Sequence, residues 1–255
     1  MKIYNMKISI VTISFNQADF LKRCIESVLS QENVNLEYIV VDPGSSDGSR
    51  SIIESYGQKI TSVFNPDDGP SDGLNNGFKI ATGDVFGFIN ADDFLLPGSL
   101  SIISNHFRES GLEHFTSGYG FTEWPTGKRK RVMPTCMTKT NLLYGACTVF
   151  QQSTFFPAYM FREIGGFNPH NKTCWDAELF IDFICRGYTH MTINHTLAVF
   201  SLYPSSISGS GRLNTQYKTD MNEIFYNVTR REKNSADIGL SYFLRCLKKI
   251  KQFIM

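Results

Sequence analysis

Residues 66–93 read PDDGPSDGLNNGFKIATGDVFGFINADD. The stretch opens as a loop dense in Asp, Asn and Gly, the residues that supply turn and cap chemistry. After Pro70, residues 71–82 read as a helix that stops before Gly83. Residues 84–89 (DVFGFI) then form a short apolar run with the length and bounds of a buried strand. That strand ends in Asn90-Ala91-Asp92-Asp93. A helix, a strand and a carboxylate pair at the strand's C-terminal end make one unit of an α/β sheet together with its ligand-binding rim.

The same alternation holds upstream. Residues 7–14 (KISIVTIS) are rich in β-branched residues, and residues 18–31 carry Phe20, Cys24, Ile25, Val28 and Leu29 at helical spacing. Residues 36–41 (LEYIVV) form a second strand that ends at Asp42. Residues 44–48 are a turn cluster, 49–56 look helical, and 59–64 form a third strand. Residues 98–107 give a helix entered after Pro97. Strand–helix alternation with short connections predicts a doubly wound, mostly parallel α/β sheet. Asp42, Asp47, Asp92 and Asp93 all fall just beyond strand C-terminal ends, where open sheets of this kind bind ligands.

The second half is less regular. Residues 116–123 and 129–133 flank Pro125-Thr126-Gly127 as a hairpin. Residues 155–164 read as a short helix and 175–186 as a helix ended by Gly187. Residues 193–200 form a strand, 217–231 a helix, and 240–255 a basic helix. That last helix places Leu240, Phe243, Leu244, Leu247, Ile250 and Ile254 near one face, with Arg245, Lys248, Lys249 and Lys251 off it. The pattern suits an interfacial amphipathic helix or one docked on the core.

The totals narrow the function. The chain has 255 residues, 42% apolar and 19% charged, enough for one sizeable soluble domain. A formal net charge of +1 argues against a broad nucleic-acid footprint. Six cysteines are scattered without CxxC or zinc spacing, which suits a reducing cytosol. The opening MKIYNMKISIVTISF reads as a strand rather than a signal sequence, because Lys7 interrupts its apolar run. No stretch approaches the ~18 apolar residues of a membrane span.

Several carboxylates could carry chemistry. Asp92-Asp93 at a buried strand end is costly to desolvate unless a cation joins it, and oxygen ligands favour Mg²⁺ or Mn²⁺. N-capping ahead of Pro97 and Gly98 is the plainer alternative. Asp42 could accept hydrogen bonds from a base or ribose. Asp47 reads better as a turn and cap residue. Asp176 or Glu178 could be a general base, or could simply favour the helix macrodipole. The run Lys128-Arg129-Lys130-Arg131 reads as a solvated hairpin arm.

Taken together, residues 7–208 resemble the inverting family 2 glycosyltransferases of GT-A fold, in the branch of capsule, O-antigen and colanic-acid biosynthesis. The segments that carry the resemblance are ISIVTISFNQADFLKRCIESVLSQ, IVVDPGSSDGS, PDDGPSDGLNNGFKIATGDVFGFINADD, STFFPAYMFREIGGFN and WDAELFIDFICRG. The resemblance implies that Asp42, Asp68, Asp72 and Asp92 contact the nucleotide-sugar donor, and that Asp92 and Asp93 hold Mn²⁺ or Mg²⁺. It implies that Asp176 is the catalytic base. The sequence departs from the family at Asn90, in place of the first Asp of D-x-D, at Trp175 and Glu178 around the base, and at Ser201-Leu202-Tyr203-Pro204, where relatives carry R-x-H-P.

The resemblance divides the chain into a GT-A domain over residues 1–215 and a helical extension over 216–255. The donor-binding part covers about 1–110 and the acceptor part about 111–215. It implies a cytoplasmic enzyme at the inner face of the membrane. A UDP-sugar would be its donor and a saccharide or polyprenyl-diphosphate-linked glycan its acceptor, with residues 240–255 touching anionic lipid. The alternatives are a metal-dependent nucleotidyltransferase, which would need a Gly-rich phosphate loop early in the chain, and a catalytically inactive nucleotide-binding module.

Overall fold

Successive residues of the first strands pack on opposite faces of one sheet, and both faces are apolar. In β1 (Lys7–Ile13), Ile8 and Ile10 face one side and Val11 the other; in β2 (Asn35–Val41), Tyr38 and Val40 oppose Ile39 and Val41. A sheet buried on both faces requires helices on both. A computed structural model, which describes residues 6–254 and only the backbone of 251–254, supplies them. α1 (Ala18–Leu29), α2 (Ser49–Ser55) and α4 (Ser99–Ser110) cover one face. α3 (Pro70–Ile80), α5 (Lys139–Leu143), α6 (Ala158–Ile164), α7 (Trp175–Cys185) and α9 (Asn214–Thr229) cover the other. α8 (Ile207–Ser210) is a single turn, and α10 (Ser235–Ile254) closes the described chain.

The remaining strands are β3 (Thr61–Val63), β4 (Val85–Asn90), β5 (Phe94–Leu95), β6 (His114–Glu123), β7 (Arg129–Val132), β8 (Thr154–Pro157) and β9 (Thr189–Ser201). Their order across the sheet is β3-β2-β1-β4-β8-β6-β9-β5, with β7 paired to β6. The expected parallel half is present: β3, β2, β1 and β4 run parallel. Beyond β4 the sheet becomes mixed, with β8 antiparallel to both β4 and β6, and β9 parallel to β6. α3 lies close on this sheet, because a Cβ at Gly77 would stand 2.5 Å from Val11 Cγ1. Phe78, Phe86, Phe88, Phe156 and Phe161 then interlock with ring centroids 4.7–6.5 Å apart. Much of the high phenylalanine content is therefore core.

Two expectations change. Residues 155–164 are not one helix: β8 is a strand and α6 follows from Ala158. Phe155 and Phe156 bury into opposite faces of the sheet, a period of two that a short apolar run does not reveal. The third strand shortens because Gly57–Lys59 form a 3₁₀ turn. Residue 215 lies in the first turn of α9, whose Met221, Ile224 and Phe225 bury in the same core as α7. Lys251 and Ile254, placed on the faces of the last helix, have side chains outside the described residues, as does the whole of Met255.

One half-buried histidine, His190, gives the fold a pH dependence. The Met137 N–H donates to His190 Nδ1 at 3.1 Å, so Nδ1 must carry a lone pair, and Nε2, 3.0 Å from Ser117 Oγ, must carry the proton. Burial pushes the His190 pKa down to about 4. The unfolded chain takes up a proton near pH 6.5 that the folded chain refuses until about 4. Stability is therefore lost as pH falls through that window, by on the order of 3 kcal/mol. In denaturant unfolding, the stability advantage of wild type over His190→Gln should be largest near pH 7 and shrink as pH falls to about 4.

Candidate active site

β1 is flanked by β2 on one side and β4 on the other, and the chain crosses over in opposite directions from it. Beyond the C-terminal ends of such strands a crevice opens. A cavity of about 930 Å³ lies there. Ser14 and Phe15 line it after β1, Asn90 and Asp92 at the end of β4, and Gln151 and Gln152 ahead of β8. Trp175 and Asp176 line it from the start of α7, and Tyr203 and Arg212 from the segment after β9.

Asp92 stands on the β4 wall. Its Oδ2 accepts a 2.9 Å hydrogen bond from the Tyr203 hydroxyl, and burial raises its pKa. Burial and the neighbouring Asp92 push the Tyr203 phenol up to about 12, so Tyr203 remains a donor. Its ring stacks on Phe20 at 4.8 Å. Arg23 reaches over from α1, donating to the Asp92 carbonyl at 3.2 Å and to Ser201 Oγ at 3.0 Å, with its guanidinium over the Phe94 ring.

Asp93, expected beside Asp92 as a metal ligand, turns away from the cavity. It is fully buried, and both of its oxygens are taken: Oδ1 by the Ser201 N–H at 2.8 Å and Oδ2 by Gln152 Nε2 at 2.7 Å. Burial, and then the charge of Asp92, hold its pKa well above the usual carboxylate range. Consecutive residues point to opposite sides here, so one member of the pair faces the cleft and the other braces the protein.

Asp176 faces the same cavity from the first turn of α7. The Ala177 N–H donates to its Oδ1 at 2.8 Å, and burial pushes its pKa up to about 6. Trp175 anchors that turn, packing on Phe88 and Phe167 with centroids 5.6 and 5.4 Å away. Of the two carboxylates, Asp176 and Glu178, only Asp176 lines the cavity. Glu178 accepts from Asn171 Nδ2 at 2.7 Å and Asn168 Nδ2 at 3.1 Å, holding the loop before α7.

The residues expected on the donor side divide. Asp42 is fully buried behind the cavity wall, and its Oδ1 accepts from the Gly44 and Ser45 N–H groups at 3.0 and 2.8 Å. Its neighbour Pro43 lines the cavity. Asp68 and Asp72 lie off the wall and bond each other, Asp68 N donating to Asp72 Oδ2 at 3.1 Å; Asp67 lines the cavity instead. Asp47 ties two helix starts together, accepting from Ala18 N at 2.8 Å and Ser49 Oγ at 2.6 Å; it holds the turn as expected but is not the cap of α2, whose N-cap is Gly48.

Ser14 Oγ, Asn90 Oδ1 and Gln151 Oε1 are buried side-chain oxygens without a hydrogen-bond partner, and all three residues line the cavity. A buried polar atom left unpaired costs about 1–3 kcal/mol, so a polar ligand would be welcome there. The donor set also fits a hard divalent cation. Mg²⁺ and Mn²⁺ are commonly held by one or two carboxylates, with phosphate and water oxygens completing the shell. Asp92 offers that carboxylate and Asn90 an unpartnered oxygen two residues before it. Among the described residues no three His, Cys, Asp or Glu side chains converge, so most of the shell would come from the ligand.

Sequence reasoning did not single out Gln151, Gln152, Lys172 or Arg212, because their link to the site is tertiary. Tyr203 had a signal, as it stands within the departure from R-x-H-P.

With this geometry in view, similarity to known proteins becomes informative. Residues 9–164 match the model of glycosyl transferase family 2. The chain belongs to that family, and the nucleotidyltransferase alternative loses its ground. A Campylobacter jejuni GalNAc(5)-diNAcBac-PP-undecaprenol beta-1,3-glucosyltransferase is 33% identical over 113 residues, covering 42% of this chain and 36% of that one. The aligned stretches take up 31% to 59% of the length of five bacterial relatives named as uncharacterized glycosyltransferases. Two GT-A structures share the fold. One is the mannosyltransferase of Pyrobaculum calidifontis in complex with GDP-Man and Mn²⁺, with TM-score 0.67, 15% identity and coverage of 95% of this chain and 70% of that one. The other is S. aureus TarS 1–349 in complex with UDP-GlcNAc, with TM-score 0.66, 15% identity and coverage of 94% and 70%.

The two adjacent carboxylates should separate by experiment. Asp93→Ala orphans two buried donors and should lower the unfolding free energy by about 2 kcal/mol. Asp92→Ala should cost less stability and abolish any Mn²⁺-dependent change in melting temperature. Denaturant and thermal unfolding with and without Mn²⁺ check both.

Proposed function

We propose that this chain transfers a sugar from a nucleotide-diphosphate donor, a UDP-sugar, to a saccharide hydroxyl, inverting the anomeric carbon. One observation carries the reading: Asp92, just after β4, and Asp176, in the first turn of α7, face a single cavity at the C-terminal edge of the sheet. The cavity is large enough for a small-molecule ligand of this size. A divalent cation on Asp92, with Asn90 beside it, would offset the negative charge that grows on the departing diphosphate.

Asp176 takes the proton from the acceptor hydroxyl. A base works best with its pKa near the operating pH, and burial has moved this carboxyl towards that range. Its ionised form is present above about pH 6. The leaving diphosphate needs no strong acid, so one base is sufficient for an inverting displacement. Ser14, Asn90 and Gln151 offer unpartnered oxygens to donor hydroxyl or amide hydrogens. Lys172 and Arg212 stand at the cavity as cations facing an anionic ligand.

The relative from Campylobacter jejuni is named for an undecaprenol-linked acceptor. That supports a polyprenyl-diphosphate-linked saccharide as acceptor here, in surface polysaccharide synthesis at the inner face of the cell membrane. Among the described residues no helix is long and apolar enough to cross a membrane.

A thermal-shift series with UDP, GDP, dTDP and CMP, each with and without Mn²⁺, tests the donor site, since only a ligand that binds the folded state raises its melting point. UDP with Mn²⁺ should give the largest rise; equal silence from all four would sink the reading. Asp176→Asn should cut kcat by about 10²–10⁴ while leaving that UDP shift in place. In the wild-type chain, kcat/KM should fall with unit slope below about pH 6 as Asp176 takes up its proton.

A further inference from the structure

Helix α10 rests on the protein by its polar edge. Asp237, Ser241 and Lys248 lie at i, i+4 and i+11, along one stripe of a helix. All three bond to the segment just after α5. The Tyr144 hydroxyl donates to Asp237 Oδ1 at 2.8 Å, Ser241 Oγ donates to the Tyr144 carbonyl at 2.8 Å, and Lys248 Nζ donates to the Cys147 carbonyl at 3.4 Å. Leu244, at i+7 of the same stripe, is half-buried.

The apolar residues are turned out of that contact. Leu240, Phe243, Leu247 and Ile250 follow at i, i+3, i+7 and i+10, a second stripe about 110° round the helix from the first, and are 38%, 59%, 38% and 53% exposed. Tyr242 is 69% exposed. A surface helix of a soluble domain normally turns its apolar stripe to the core. This one docks by its polar edge instead.

The charge of the helix identifies what it faces. From Ile238 to Ile250 it carries Arg245, Lys248 and Lys249 and no acidic residue. Its one acid, Asp237, is buried and paired with Arg231 at 2.5 Å. A second copy meeting this face would bring the same positive charge towards it, whereas anionic lipid headgroups complement it. An apolar stripe with an aromatic residue on a helix whose polar side is basic is the composition of a helix lying in a bilayer interface.

We propose that α10 is a pre-docked anchor to an anionic lipid bilayer. Leu240, Phe243, Leu247 and Ile250 enter the headgroup–acyl boundary while the Asp237–Lys248 edge stays bonded to the protein. The inference deepens the reading of a lipid-linked acceptor by naming the surface that brings the enzyme to it, and it does not depend on the transfer chemistry. Because the polar edge is already engaged, the helix need not unfold or detach to reach the membrane.

Co-sedimentation of the full chain with vesicles tests this. The wild type should pellet with mixed phosphatidylglycerol–phosphatidylcholine vesicles, less at high salt, and weakly with phosphatidylcholine alone. Phe243→Ser/Leu247→Ser/Ile250→Ser should reduce partitioning at least about tenfold, and Lys249→Glu several-fold, because apolar burial and charge both contribute. Far-UV circular dichroism and the UDP thermal shift should match wild type, which separates loss of the anchor from loss of fold or donor site. Wild type that ignores anionic vesicles, or a triple variant that binds them equally, would overturn the proposal. So would sedimentation equilibrium showing a wild-type dimer that the triple variant converts to monomer, since a second copy would then occupy the stripe.

Discussion

The cavity exists because one buried carboxylate joins three distant parts of the chain. Asp93 follows β4, Ser201 ends β9, and Gln152 precedes β8. A fully buried carboxylate is tolerated only where donors surround it. Here those donors come from residues 59 and 108 positions away in sequence. The bonds bring the irregular second half against the parallel first half, and Asp92, one residue earlier, is left facing the gap between them. Arg23 reinforces the joint by bonding both the Asp92 carbonyl and Ser201. The adjacent pair is therefore one carboxylate that braces the fold and one that faces the cavity, and the first sets the position of the second.

Across the cavity the two exposed-side carboxylates live in different surroundings. Asp92 has a hydroxyl donor in Tyr203, which favours its charged form against the cost of burial. Asp176 is held by one backbone N–H from its own helix turn, and burial dominates. Environments that treat two carboxyl groups differently are how one site assigns them different tasks. That difference supports the proposed roles, a cation held at Asp92 and a proton taken by Asp176. The segment that carries Tyr203 also carries Arg212, so the same stretch after β9 both tunes Asp92 and adds positive charge to the cavity.

Much of this was legible in the sequence because it is local. A strand that ends just before Asp92 and a helix that carries Asp176 in its first turn are patterns within a few residues, and the parallel half follows from the alternation of periods. What was not legible depends on contacts between remote segments. No local pattern says that Asp93 rather than Asp92 turns inward, since that is settled by Ser201 and Gln152. Asp67, not Asp68, lines the cavity because Asp68 and Asp72 close a local turn before α3. Phe155 and Phe156 pack on opposite faces of the sheet, and only the presence of β4 and β6 on either side makes them a strand.

The last helix marks a different boundary between pattern and structure. An amphipathic period says that a helix has two unlike faces, and it leaves open which of them meets the protein. Hydrophobic burial alone would put Phe243 and Leu247 inward. The docking surface around Tyr144 and Cys147 instead offers two backbone carbonyls and a phenol, groups that match Asp237, Ser241 and Lys248. Unpaired buried carbonyls would be costly, so the complementary polar edge wins the contact. The apolar stripe is then available for a different solvent, and the basic residues beside it favour an anionic one.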